Sequence, residues 1–143
     1  MDISLALKTG YFYALNPEIG IPIYDAFAVK TDATYPYVII SDISVQERIP
    51  NGCKIYNATV TLDVVTGFSS PTGMNEAWNI SEDITAIINP MSFADLNIEG
   101  NGWAIGETRL VGSNPIQLRT GNYWIYRNIL VFSHIVYPVS GSS

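Results

Sequence analysis

Residues 54–66, with the sequence KIYNATVTLDVVT, alternate apolar and polar side chains with great regularity. One side of an extended strand here holds Tyr56, Ala58, Val60, Leu62 and Val64. Strict alternation is typical of an antiparallel strand that buries one face and keeps the other in water. The segment therefore predicts a half-buried antiparallel strand, and the rest of the fold is built outward from it.

The residues just before this strand predict a partner for it. Residues 37–45 are extended in character, and Pro50-Asn51-Gly52 supplies a turn because Asn and Gly tolerate positive φ angles. Two adjacent segments joined in this way predict an antiparallel pair. In this predicted strand, plain alternation gives two sides. One side comprises Tyr37, Ile39, Ser41, Ile43 and Val45, and the other comprises Val38, Ile40, Asp42 and Ser44.

The residues after the strand predict the main helix. Residues 74–89 follow a loop rich in Ser, Pro and Gly, and Pro90 ends the helical pattern. Its apolar stripe comprises Ala77, Ile80, Ile84, Ile87 and Ile88. This spacing favours an amphipathic helix packed on the sheet. Trp78, beside the stripe, is expected to belong to the core, while Glu82 and Asp83 lie on the solvated side.

Two more strands are predicted in the C-terminal third. Residues 103–111 form the first, and the Gly-Ser-Asn-Pro stretch at residues 112–115 is expected to interrupt it. Gly121-Asn122 turns the chain into the last strand, residues 123–137. Both sides of that strand are largely apolar, which indicates a central strand or one that is covered on both faces.

The N-terminal region predicts a short helix over residues 2–15 with Asp2 as its cap. Asn16-Pro17 is expected to end it, because the residue before a proline disfavours the α region. Residues 20–30 contain Pro22, which lacks an N–H group, and so predict an edge strand or an extended arm.

The order of these elements predicts an α+β fold, with a mostly antiparallel β-sheet. An N-terminal helix and one main amphipathic helix are expected to pack on one face of it. A length of 143 residues suits one ordinary domain. Residues 1–138 are therefore expected to form a single α+β domain, and residues 139–143 a flexible C-terminal tail.

The composition indicates a globular, acidic protein. Apolar residues make up 48% of the chain and charged residues only 14%, which argues against disorder. Seven Lys and Arg against 13 Asp and Glu give a net charge of −6, which opposes tight binding to a phosphate backbone. No apolar run of 18 residues is present to cross a membrane, and the N-terminus lacks the basic cluster of a signal peptide.

No motif typical of an enzyme or cofactor site is present, so we predict no catalytic, cofactor-binding or metal-binding residues. His134, the single histidine, is expected to pack in the sheet between Phe132 and Val136. Cys53, the single cysteine, excludes an internal disulfide and has only Lys54 nearby as a cation to activate a thiolate.

Aromatic and Arg residues in the C-terminal third are candidate contact residues. The aromatic ones lie beside turns and glycines, and exposed aromatic side chains are enriched at protein interfaces. They could instead cap the ends of the sheet, and the Arg residues could simply solubilise its edge. The candidate subunit or tube interface comprises Trp103, Arg109, Arg119, Tyr123, Trp124, Tyr126 and Arg127.

Five segments, taken in order, carry a resemblance to a known family. They are Ile21-Pro22-Ile23-Tyr24-Asp25, Pro36-Tyr37-Val38-Ile39-Ile40, Val60-Thr61-Leu62-Asp63-Val64, the helix from Asn75 to Ile88, and Arg127-Asn128-Ile129-Leu130-Val131-Phe132. Their order resembles that of the tail-completion proteins of long-tailed bacteriophages, also called tail terminators. Residues 112–121 depart from the family pattern, in which a shorter connection is expected.

The resemblance implies a structural virion protein with no enzymatic activity and no cofactor. Such a protein forms a ring, typically of six copies, that caps the tail tube and joins it to the head and neck. The implied partners are further copies of the chain, the tail tube protein and the head–tail connector proteins, with genomic DNA only passing through the lumen. Assembly is expected in the host cytoplasm, and each copy's charge of −6 makes it sensitive to salt.

Three alternatives remain open from the sequence. A head–tail connector subunit would have the same architecture. A small-ligand-binding or enzymatic α+β domain would need Asp42, Asp63 and His134 to converge, which alternation does not predict; His134→Asn would abolish that activity but spare assembly. A surface- or carbohydrate-binding module would use Trp103, Trp124 and Tyr126.

Overall fold

A computed structural model describes residues 2–26, 34–48, 54–88 and 102–138. The helices and strands in these ranges are α1 (Ile3–Ile19), β1 (Ile23–Asp25), β2 (Tyr37–Glu47), β3 (Tyr56–Phe68), α2 (Asn75–Ile88), β4 (Trp103–Thr120) and β5 (Tyr123–Pro138). The strands form a five-stranded sheet in the order β1-β2-β3-β5-β4. The pairing of β1 with β2 is parallel and the other pairings are antiparallel.

The core lies between the two helices and one face of the sheet, which we call the helix face. Helix α1 contributes Leu7, Tyr11 and Leu15, and α2 contributes Ala77, Ile84 and Ile88. The sheet contributes Val38, Ile40, Ala58, Val60, Leu62, Val64, Leu130, Phe132 and Val136. The predicted α+β class, the apolar side of β3 and the central position of β5 are confirmed.

Strand β2 contains an extra residue that reverses its pattern halfway. Ser41 lies between the paired positions Ile40 and Asp42 and has no partner of its own in β3. A shift of one residue sends every later side chain to the opposite face. Ile43 and Val45 therefore pack against the core on the side of Ile40, and the faces predicted by plain alternation were wrong beyond the bulge.

Helix α1 begins as predicted and ends later. The backbone N–H of Ser4 donates to Asp2 Oδ2 at 3.1 Å, which caps the first turn. Pro17 lies inside the helix, so the predicted end at Asn16-Pro17 was wrong. A proline in the last turn removes only one helical hydrogen bond. The chain leaves the helix at Gly20, whose φ of 68° suits a residue without a Cβ atom.

Strand β4 continues through the stretch that was expected to break it. Pro115 lies within β4 opposite Asn128. It is tolerated because β4 is the last strand of the sheet and carries ladder hydrogen bonds on one side only. The turn at Gly121-Asn122 is confirmed, with Gly121 at a φ of 61°.

Some predictions fall outside the described residues. They concern the turn at residues 50–52, Cys53, Pro90 and the tail at residues 139–143. Within the described part of the chain, neither helix is long and apolar enough to cross a membrane.

Candidate functional site

The single histidine is a core residue. His134 is fully buried on the helix face, where its Nε2 atom lies 2.5 Å from the Tyr11 hydroxyl and its Nδ1 atom 2.9 Å from Thr108 Oγ1. Either neutral tautomer satisfies both nitrogens with these hydroxyls. Burial lowers the pKa of His134 from 6.5 to about 4. The ring is therefore neutral at pH 7 and joins α1 to β4 and β5.

The three residues that an enzymatic site would require do not converge. Asp63 is paired with Ile129, and Asp42 with Thr61, on the sheet face opposite the helices. His134 is on the helix face. Within residues 2–26, 34–48, 54–88 and 102–138, no group of three His, Cys, Asp or Glu side chains could hold a metal ion.

A second buried polar cluster fixes α2 to the sheet. Asn128 donates from Nδ2 to Ser81 Oγ at 2.8 Å and accepts at Oδ1 from Ser113 Oγ at 3.1 Å. Ser81 Oγ in turn donates to the carbonyl oxygen of Ala77 at 2.7 Å. These contacts hold one face of α2 against β5 and so determine which side of the helix points outward.

The sheet face opposite the helices, here called the open face, is apolar along its centre. Ile39, Ile129, Val131 and Ile135 lie there and are half-buried. None of the described elements packs on this face. Strand β5 was predicted to be central or covered on both faces; it lies inside the sheet, and only its helix face is covered by a described element. An apolar sheet face of this kind is a candidate contact surface.

An ion pair lies on the open face beside the apolar residues Ile39 and Ile129. The Arg127 guanidinium donates two hydrogen bonds to the carboxylate of Asp63, with Nε 3.2 Å from Oδ1 and Nη2 against Oδ2. The Asp63 side chain is 5% exposed, and that of Arg127 is 36% exposed. The hydrogen bond to Asp63 is the main cause of a raised pKa for Arg127. A bidentate pair joins β3 to β5 here.

Four tyrosine rings form a row across one end of the open face. Tyr35 stacks on Tyr37 with ring centres 5.6 Å apart, Tyr24 meets Tyr37 edge-on at 5.7 Å, and Tyr123 lies 6.0 Å from Tyr35. Burial is the main cause of a raised pKa for Tyr37. Gly67 permits the row, because a Cβ atom there would lie 2.6 Å from the Tyr35 ring.

We therefore expect Gly67→Ala to destabilise the protein by about 1–3 kcal/mol, since the added methyl forces the Tyr35 ring to move. Urea unfolding measures this. Gly112→Ala is a matched control in strand β4, where a Cβ atom meets nothing within 4 Å. Equal stability of the two variants would contradict the packing of Tyr35 on Gly67.

The other end of the open face is a polar depression of about 400 Å3. Its lining residues are Gln46, Arg48, Asn57, Thr59, Glu107, Arg109, Ser133 and Ile135. Two guanidinium groups thus face one carboxylate. Neither Arg48 nor Arg109 forms an ion pair with another described residue. Among the described residues, these two guanidinium groups therefore have no ionic partner and are available for an acidic group.

Helix α1 presents a contact surface that the sequence analysis missed. Leu5, Phe12 and Tyr13 are 45%, 38% and 71% exposed, although the opposite side of α1 is already buried in the core. A groove of about 330 Å3 separates Phe12 and Tyr13 from β1. The missed signal was the lack of one distinct polar side on α1, since apolar side chains occur all round the helix and those that face away from the core also favour cover.

The predicted interface residues do not form one patch. Tyr123 is 49% exposed in the tyrosine row, and Arg109 lines the polar depression. Arg119 lies 4.9 Å above the ring of Trp124, on the helix face of the β4–β5 hairpin. Arg127 is bound to Asp63 within its own chain.

Two aromatic residues of the predicted set lie at the margins of the core. Trp103 is half-buried and meets the Tyr56 ring edge-on at 5.7 Å. Tyr126 is 1% exposed, so the expectation of an exposed ring was wrong. Plain alternation on β5 would have placed Tyr126 with Leu130 and Phe132 on the buried side. Trp78, expected in the core, is instead 49% exposed on α2.

The fold is similar to that of a chain in the virion of a native gene transfer agent (GTA) particle. The two chains are 18% identical and superpose with a TM-score of 0.72. The match covers 94% of this chain and 97% of the virion chain. No protein-family model matches the sequence, and no curated protein matches it either. The likeness therefore concerns the fold over its full length.

Proposed function

We propose that the chain is a structural virion protein of a phage-like particle, a ring-forming tail terminator that caps the tail tube and joins it to the head. The observation that carries this proposal is the fold match with a chain of the gene transfer agent virion, which spans nearly all of both chains. The order of segments that resembles the tail-completion proteins supports the same function. The structure and the order of segments are separate lines of support.

The surfaces of the chain suit a protein that acts by docking. The apolar centre of the open face and the outer side of α1, with Phe12 and Tyr13, would be covered in an assembly. A closed ring covers such surfaces between identical neighbours. An acidic chain of net charge −6 would also let DNA pass along the lumen without tight binding.

Two of the side chains that an enzymatic site would require, those of His134 and Asp63, have structural roles instead. His134 has no exposed surface, and the carboxylate of Asp63 is bound to Arg127. Neither group is free to act on a substrate in this arrangement. The proposal therefore assigns the chain no turnover of substrate.

We expect the purified protein to form rings with a central opening, either alone or when isolated tail tubes are added. Light scattering coupled to size exclusion gives the mass, and negative-stain imaging gives the shape. Binding to the end of a tube indicates a terminator, whereas binding to tube-free capsids indicates a head–tail connector. A chain that stays monomeric at millimolar concentration and binds neither tubes nor capsids would contradict the proposal.

A further inference from the structure

The outward side of α2 is an acidic surface with an exposed Trp at its border. Glu82 and Asp83 are exposed on it, and α2 carries no Lys or Arg. Trp78 lies one turn before Glu82 and is 49% exposed. The cluster of Asn128 and Ser81 holds the opposite side of the helix on the sheet. Exposed Trp residues surrounded by polar groups are frequent energetic centres of protein interfaces.

The open face of the sheet has the complementary pattern. Its polar depression contributes Arg48 and Arg109 against the single carboxylate of Glu107, and neither Arg has an ionic partner among the described residues. The half-buried apolar centre begins directly beside it, at Val131. The open face thus has a basic region next to an apolar one, and the outward side of α2 has an acidic pair next to a Trp.

The spacing of the two patterns also agrees. Trp78 and Glu82 are four helical residues apart, about 6 Å along the axis at 1.5 Å per residue. Val131 and Ser133, the latter opposite Arg109, are two strand residues apart, about 7 Å. A helix aligned with β5 can therefore place its Trp on the apolar centre while its carboxylates reach the depression.

We propose that α2 of one copy docks on the open face of the next copy, with Glu82 and Asp83 in the polar depression beside Arg48 and Arg109. This inference rests on the proposed ring-forming function. The two surfaces lie on opposite sides of the same subunit, since α2 covers the helix face. Such a contact is head-to-tail, and it generates a ring when the rotation between copies closes.

Two features of the sheet favour contact through faces over strand pairing at edges. Strand β1 has only three residues, and β4 contains Pro115 and two bulges, after Ile105 and after Leu110. Proline and bulges on an edge strand prevent another strand from pairing with it. A helix on the open face would instead bury the apolar side chains that β5 presents there.

Charge reversal tests the contact. We expect Arg109→Glu, and separately the double variant Glu82→Lys with Asp83→Lys, to weaken self-association about 100-fold or more, because like charges then face each other. Arg119→Glu is a matched control, with the same change on the same strand but on the helix face. Sedimentation velocity measures association, and circular dichroism checks folding. All four positions are exposed.

Combining variants gives a sharper readout. The chain that carries all three reversals should assemble again to within about tenfold of the wild type, since the charges are complementary once more. A mixture of the Arg109→Glu chain with the Glu82→Lys, Asp83→Lys chain should also assemble, with the two chains alternating, because each α2 then meets a depression of opposite charge on its neighbour.

Three outcomes separate this inference from the proposed function. If the wild type forms rings and both charge-reversal variants form them equally well, the α2 contact is overturned and the ring function is unaffected. Loss of rings in both variants without rescue in the triple variant would also overturn it. A wild-type chain that never self-associates, with or without tubes, would overturn the ring function and the contact together.

Discussion

Acidification from pH 6.5 to pH 4 is expected to reduce the free energy of unfolding by about 3 kcal/mol through His134 alone. Burial holds the pKa of His134 at about 4 in the folded chain, against 6.5 when unfolded. Between these values the unfolded chain binds a proton that the folded chain does not, so stability falls as the pH falls. Each pKa unit corresponds to about 1.4 kcal/mol. The contribution is complete above pH 6.5 and is lost towards pH 4.

The measurement is urea unfolding at several pH values on the wild type and on His134→Gln, which keeps a hydrogen-bonding amide and cannot titrate. Any pH effect that the two proteins share cancels in the difference between the two curves, which isolates the histidine. Parallel curves would contradict the assignment. The ring proton shifts of His134 in the wild type give an independent reading, and a midpoint near 6.5 would contradict a buried neutral ring.

Arg127→Ala is expected to cost about 3 kcal/mol of stability, the lower end of the range for a broken buried pair. The substitution leaves the Asp63 carboxylate, which is 5% exposed, without the guanidinium that binds it. Arg119→Ala is the matched control. Arg119 belongs to the same hairpin, stacks on Trp124 and is more exposed than Arg127. Its removal should cost no more than about 1 kcal/mol of stability.

The two members of the pair are not equivalent. Asp63→Asn should cost less than Arg127→Ala, because the remaining Arg127 side chain is 36% exposed and can reach water. The combination Asp63→Leu with Arg127→Met should recover most of the loss, as apolar replacements often do. Urea unfolding measures all four variants. Equal costs for Arg127→Ala and Arg119→Ala would show that Arg127 is not a structural partner of Asp63, and would return it to the interface candidates.

Much of the fold follows from local patterns in the sequence. The alternation of residues 56–64 gave β3 its buried side, and the stripe of Ala77, Ile84 and Ile88 gave α2 its buried side. The two apolar sides of β5 predicted its central place. Each of these signals is a period of two or about 3.6 residues, which local geometry imposes on any strand or helix.

The errors arose where tertiary context changes a local rule. The bulge at Ser41 moved Ile43 and Val45 to the helix face, and no local signal marks an unpaired residue in a strand. A strand break was predicted at residues 112–115, whereas an edge strand tolerates a proline such as Pro115. Trp78 was expected in the core because apolar type alone does not say which side of an amphipathic helix a border residue takes.

The candidate contact surface was only partly accessible from the sequence. Arg109 and Tyr123 were predicted and do lie on the open face or beside it. Their neighbours there come from distant parts of the chain, such as Arg48 just after β2 and Tyr35 just before it. Spacing along the chain cannot reveal groups that meet only when β2, β3, β5 and β4 pair.

The sequence by itself determined the fold class, the order of helices and strands, the burial of His134 and the acidic net charge, since these depend on composition and short periods. Only the tertiary structure decided that Arg127 neutralises Asp63, that α1 keeps an apolar outer side, and that Arg48 and Arg109 share one depression. The physical reason is that strand register and bulges, set by packing across the whole sheet, determine which distant side chains share a face.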